Sequence, residues 1–154
     1  MSSPPWTVRP VPYLDPVAQE LVAELDRDMQ ARYGGQDATP VDPEHFADPS
    51  GTFLVMEDGA GPIGCAGIRT HGADAEIKRM YVRASRRRRG FARHLLTALE
   101  AYARARGFTR VILETGTAQP EAIALYEASG YVQIVGYGYY RDEPTCRCYA
   151  KWLI

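Results

Sequence analysis

Apolar residues recur at helical spacing in three stretches of the 154-residue chain and fall into short strand-like runs in seven others. Val17, Leu21, Val22, Leu25 and Met29 line one side of a first helix. Asp15 stands where an N-cap is needed, and Pro16 takes the first helical position, where a missing N–H costs nothing. Gly34-Gly35 stops that helix, and Gln36 to Gly51, rich in Pro, Asp and Gly, reads as a loop with at most a short helix. A second helix is predicted from Gly90 to Arg106, with Leu95, Leu96, Leu99, Tyr102 and Ala103 on one face and Gly107 as its stop. A third opens at Gln119-Pro120, carries Ile123, Leu125 and Tyr126, and ends at Gly130. The predicted strands are Trp6–Val11, Thr52–Glu57, Ile63–Arg69, Glu76–Val82, Val111–Thr115, Tyr131–Val135 and Cys146–Leu153. Strand, helix, three strands, helix, strand, helix, two strands is a mixed α/β order. A hairpin-built half precedes two helical crossovers, all in one domain over residues 1–154.

Composition narrows the setting. Hydrophobic residues at 45% and charged ones at 24% are ordinary for a globular protein. A net charge of −1 gives no global drive toward nucleic acid or membrane. Three cysteines are too few and too awkwardly spaced for a disulfide framework, no apolar run reaches a membrane span, and Met1 to Pro10 lacks the pattern of a signal peptide. A reducing, cytoplasmic setting is the expectation.

Chemistry concentrates between Glu76 and Leu96. There a strand runs into a basic loop, and Arg87-x-x-Gly90-x-Ala92 then opens a helix. A helix N-terminus offers unpaired N–H groups and partial positive charge, and small residues at Gly90 and Ala92 leave room for phosphates to reach them. Arginines at 83, 86, 87, 88, 89 and 93 add positive potential. A second motif, Gln119-x-x-Ala122-x-x-Leu125-Tyr126-x-x-x-Gly130-Tyr131, follows about thirty residues later. Together the two motifs, in this order and on these elements, resemble the GNAT superfamily of N-acetyltransferases. The likeness covers Phe53 to Ile154, and Gln119 stands where the family usually has Asn.

That resemblance implies a mostly antiparallel central sheet whose central strands, Glu76–Val82 and Val111–Thr115, splay apart, with flanking helices. Acetyl-CoA would lie in the gap as acyl donor, its pantetheine arm along the backbone of Met80, Tyr81 and Val82. Its pyrophosphate would rest on Arg87, Arg88, Arg89, Gly90, Phe91, Ala92 and Arg93, with Gln119 also beside the cofactor. The resemblance makes Tyr126 the acid that protonates the departing thiolate and Glu76 the candidate base. A base is useful because an amine of pKa near 10.4 needs roughly 4–5 kcal/mol to become neutral at pH 7.

Plainer readings stand beside these. The arginine run could be a solvated charge run or a nucleic-acid patch, though its end at Gly90 before a good helix favours phosphate. Cys146 and Cys148 point to one strand face and read as two buried thiols rather than a zinc half-site, because no second Cys/His pair is near in sequence. Cys65 reads as a core residue, and His45, His71 and His94 receive no metal or catalytic task. Tyr137, Tyr139 and Tyr140 read as an acceptor wall or a strand surface, and Asp142 and Glu143 as attraction for a cationic acceptor or plain turn acids. The expected acceptor is a small-molecule primary amine, with no metal, nucleic acid or membrane partner; a homodimer is left open. The rivals are acetylation of a protein or peptide amine, and a non-catalytic acyl-CoA-binding module on the same fold.

Overall fold

A computed structural model describes residues 5–35 and 37–154. Residues 1–4 of the Pro-rich lead, and Gln36 at the head of the expected loop, lie outside them. The elements are β1 (Trp6–Pro10), α1 (Pro16–Tyr33), β2 (Gly51–Asp58), β3 (Gly61–His71), β4 (Asp74–Val82), α2 (Phe91–Ala105), β5 (Arg110–Gly116), α3 (Pro120–Ala128), β6 (Val132–Ile134) and β7 (Cys146–Trp152). Single 3-10 turns at Pro43–Phe46 and Ala84–Arg86 occupy the two long loops. The seven strands form one sheet in the order β1-β2-β3-β4-β5-β7-β6, antiparallel throughout except where β4 meets β5.

Local chemistry sets the helices. The Asp15 carboxylate accepts from the backbone N–H groups of Val17 and Ala18. Gly34 closes α1 in the left-handed region, at φ 77, returning its N–H to the Gln30 carbonyl. One face of the sheet is covered by α1, whose Ala18, Leu21, Val22 and Leu25 pack with Phe53, Val55, Cys65 and Tyr81. On the other face, α2 buries Leu95, Leu96, Leu99 and Ala103 with Met56, Ile63, Ile68, Ile77 and Leu113, and Tyr126 of α3 joins them. Each such leucine contributes roughly 1.5–3 kcal/mol by leaving water. Glu100 is buried within that layer, held by the Tyr131 hydroxyl at 2.8 Å and Lys151 at 3.0 Å. Among the described residues no helix is long and apolar enough to cross a membrane.

The splay follows from a bulge. Cys65 pairs with Tyr81 and Gly67 with Lys78, so Arg79 and Met80 together face Ala66 alone. Arg79 takes φ 57, a left-handed conformation uncommon for a residue with a side chain. Its guanidinium is anchored on Asp37, and its carbonyl accepts the Cys65 thiol. Beyond this point β4 and β5 no longer pair. Only Ala75–Val111, Glu76–Ile112 and Ile77–Leu113 are matched, although β4 has nine residues.

Candidate active site

Where the strands part, a cleft of about 650 Å³ opens. Its walls are Lys78, Arg79 and Met80 of β4, Glu114, Thr115 and Gly116 of β5, Tyr33 of α1, Asp37 of the following loop, and Gln119 and Tyr126 at α3. Tyr140, Glu143 and Cys146 close it from the segment leading into β7. The two loops flanking the cleft are tied together, since the Ala38 N–H donates to the Tyr140 hydroxyl.

Tyr126 meets the cleft from the α2 and α3 side of the sheet. It is 7% exposed, and burial pushes its phenol up to about 12, so the hydroxyl stays protonated. Its partner is the Met80 thioether sulfur at 3.8 Å, a weak acceptor that leaves the proton free for a better one. Gln119 presents its side-chain carbonyl to the Tyr33 hydroxyl at 2.9 Å.

The two candidate carboxylates differ sharply. Glu76 is 1% exposed and does not line the cleft. One of its oxygens accepts from Arg69 Nε at 2.9 Å and the other from the Tyr137 hydroxyl at 2.8 Å. With one hydrogen bond on each oxygen, Glu76, the side chain expected to act as base, ties β4 to β3 and to the Tyr137 loop. Glu114 does line the cleft. Leu113 belongs to the α2 and α3 layer, so strand alternation turns Glu114 to the opposite, α1 side. Among the described residues its Oε1 lies buried without a hydrogen-bond partner, and its Oε2 takes only a long bond of 3.6 Å from the Cys146 thiol. Burial raises its pKa, opposed by the nearby Lys78 ammonium. Gly138 makes this placement feasible: a Cβ there would sit 1.7 Å from Glu114 Oε1. Lys78, 6% exposed, lies 3.5 Å from Asp37 across the same space.

From Met80, β4 runs through Tyr81 and Val82 into the arginine segment. Tyr81 turns its side chain away from the cleft into the α1 layer, its hydroxyl donating to Glu24. The arginines are not equivalent. Arg83 is held by Glu20 and Glu24, and Arg86 is paired in two-pronged fashion with Asp58. Arg87 donates to the Val82 carbonyl at 2.9 Å and lies over the Tyr81 ring. Arg88, Arg89 and Arg93 are exposed and make no ion pair among the described residues. Gly90 caps α2 in the left-handed region, at φ 81, with no side-chain cap and open space where a Cβ would be. The first-turn amides from Phe91 to Arg93 therefore face outward as unpaired donors.

Residues 18–131 match the Acetyltransferase (GNAT) family. The chain belongs to it. The GNAT assignment is supported by a relative from Azospirillum brasilense, an IAA acetyltransferase, 36% identical over 138 residues that make up 88% of this chain and 90% of that one. Among solved structures, a candidate acyl-CoA N-acyltransferase from Klebsiella pneumoniae superposes with a TM-score of 0.82 at 28% identity, covering 97% of this chain and 98% of that one. A GNAT family acetyltransferase from Elizabethkingia anophelis with acetyl-CoA bound shares the fold at 16% identity, with a TM-score of 0.72 over 98% of this chain and 100% of that one. This GNAT protein is an acyl-CoA-dependent N-acyltransferase. Sequence reasoning passed over Glu114, Lys78, Asp37 and Gly138. One signal was available: an acid interrupts the apolar run Val111-Ile112-Leu113 of a central strand, where carboxylates are rare without a purpose.

Proposed function

We propose that the enzyme transfers an acetyl group from acetyl-CoA directly to the primary amine of a small molecule, with Glu114 as base and Tyr126 as acid. The observation that carries this reading is one cleft lined by two groups with complementary proton states. Glu114 is a carboxylate with unused acceptor capacity, and Tyr126 is a phenol that holds its proton. The edge of β4 beyond Ile77, paired with β3 but no longer with β5, and the uncapped N-terminus of α2 lead away from it as a track for the donor's arm and pyrophosphate. Arg88, Arg89 and Arg93 supply field at that end, and Arg87 holds the track's backbone in place.

In the transfer, the neutral amine nitrogen bonds to the thioester carbonyl carbon and the carbon–sulfur bond breaks. Glu114 takes the proton the nitrogen loses, directly or through a water. Tyr126 exchanges Met80 for the departing sulfur and donates to it. A backbone N–H at the Arg79 bulge faces the oxygen on which charge develops. A cleft of this size, walled by Tyr33, Asp37 and Tyr140, suits a small amine better than a folded protein surface.

The test is free-thiol release from acetyl-CoA with a panel of small amines, a peptide and IAA, the acceptor named for the Azospirillum relative. Small amines should support turnover. Tyr126→Phe should bind coenzyme A unchanged and turn over about 10²-fold more slowly. Because the phenol sits near 12, the wild-type rate should climb as the amine deprotonates and show no decline from Tyr126 below about pH 11. An unchanged Tyr126→Phe rate removes this acid. No coenzyme A binding at millimolar concentration by calorimetry removes the reading.

A further inference from the structure

Cys146 and Cys148 lie two residues apart on β7 and so project from the same face of the sheet. Cys148 is the direct cross-strand partner of Glu114, which places the carboxylate on that face as well. The two sulfurs are 3.9 Å apart, and Cys146 Sγ is 3.6 Å from Glu114 Oε2. A tetrahedral zinc ion with Zn–S near 2.3 Å and Zn–O near 2.0–2.2 Å sets sulfurs about 3.8 Å apart and sulfur to oxygen about 3.5–3.7 Å. Those two spacings match a tetrahedral ion, and all three donor atoms lie within 4.8 Å of one another.

We propose that Cys146, Cys148 and Glu114 form a zinc site on the acceptor side of the cleft, and that filling it blocks transfer. Two thiols favour zinc over magnesium or calcium, whose preference is for oxygen. The third ligand comes from the neighbouring strand. The expectation of an unassisted thiol pair could not include it, because Glu114 and Cys146 are 32 residues apart in sequence. Glu114 and Cys146 both border the cleft, so the fourth coordination position opens where the acceptor amine must approach. On binding, each thiol gives its proton to solvent and the ion takes two thiolates and one carboxylate. Zinc thereby removes the acceptor oxygen that the amine's proton needs. The blocking half of this proposal rests on Glu114 as base; the binding half does not.

The experiment uses chelator-treated full-length protein with cobalt as the first probe, because thiolate-to-cobalt charge transfer reports sulfur ligation directly. One equivalent of Co²⁺ should produce that absorption, and one equivalent of Zn²⁺ should displace it, while Mg²⁺ leaves it unchanged. Cys148→Ser and Cys146→Ala should each abolish the band; Cys146 is half-exposed, so its variant tests the site without disturbing the core. In the thiol-release assay, equimolar Zn²⁺ should slow the wild type at least tenfold, relieved by chelator, and leave Cys148→Ser at its metal-free rate. Absence of the charge-transfer band, or its survival in both cysteine variants, overturns the site. A normal band with an unaffected rate overturns the block. If no amine is turned over at all, the failure belongs to the acetyl-transfer reading and the cobalt spectrum still decides the site.

Discussion

The two ends of the cleft are built on different principles. The donor end is mostly backbone: an open strand edge at Met80 to Val82 and a glycine-capped helix start at Gly90, all within one contiguous stretch. The acceptor end is mostly side chains drawn together from afar. Asp37 meets Lys78 and Arg79 across some 40 positions, and Glu114 lies under Gly138. A surface made of amides tolerates many side chains, whereas one made of converging carboxylates and phenols is altered by each change. Binding of the donor should therefore be robust to mutation and acceptor chemistry fragile.

The largest expected effect is at the two carboxylates. Glu114→Gln should lower turnover about 10³-fold with little change in the KM for acetyl-CoA. Glu76→Gln should do the converse. It leaves the Arg69 guanidinium, only 11% exposed, without its counter-charge. That costs on the order of 3 kcal/mol of stability, a fall of roughly 6–12 °C in Tm, with turnover of the folded fraction kept. Steady-state kinetics beside thermal melts separate them, and equal rate losses would erase the distinction between base and brace. Next comes Gly138→Ala, whose new Cβ overlaps the Glu114 oxygen. Displacing that carboxylate by about 1 Å should cost about 10²-fold in rate and little in Tm, because the displaced atom ends a flexible side chain. The smallest effect belongs to the donor end. The double variant Arg88→Ala, Arg89→Ala should raise the KM for acetyl-CoA only about two- to threefold at ordinary salt, less at high salt, because exposed charges are screened. A tenfold or larger rise would mean that these side chains, and not the amides behind them, hold the pyrophosphate.

The same division explains what could be read from the chain alone. Element order, the caps at Asp15 and Gly34, the open Gly90 and the parting of β4 from β5 all come from signals local in sequence or carried by the family resemblance. Tyr126 was legible as part of the Leu125-Tyr126 motif, and it does line the cleft. Glu76 was singled out by the family resemblance, at the head of the expected strand Glu76–Val82. The partners that occupy it, Arg69 and Tyr137, lie on other elements with no local mark. Glu114 was hidden for the same reason, since its importance comes from Gly138 and Cys146, which reach it only through the fold. The arginine run looked uniform as text, and folding sorts it: Asp58, Glu20 and Glu24 claim two members and leave the exposed ones free.

Among the described residues only three matched pairs stitch the backbone of β1–β4 to that of β5–β7. The sheet is thus two plates sharing a short seam, with the helical layer on one face as their main remaining tie. The cosubstrate, on the proposed track along β4 at the mouth of that seam, would supply cross-ties between the two plates. Occupancy should then be felt as stiffness across the whole molecule, raising the melting point with ligand concentration and slowing amide exchange at Val111 and Ile112, which do not line the cleft.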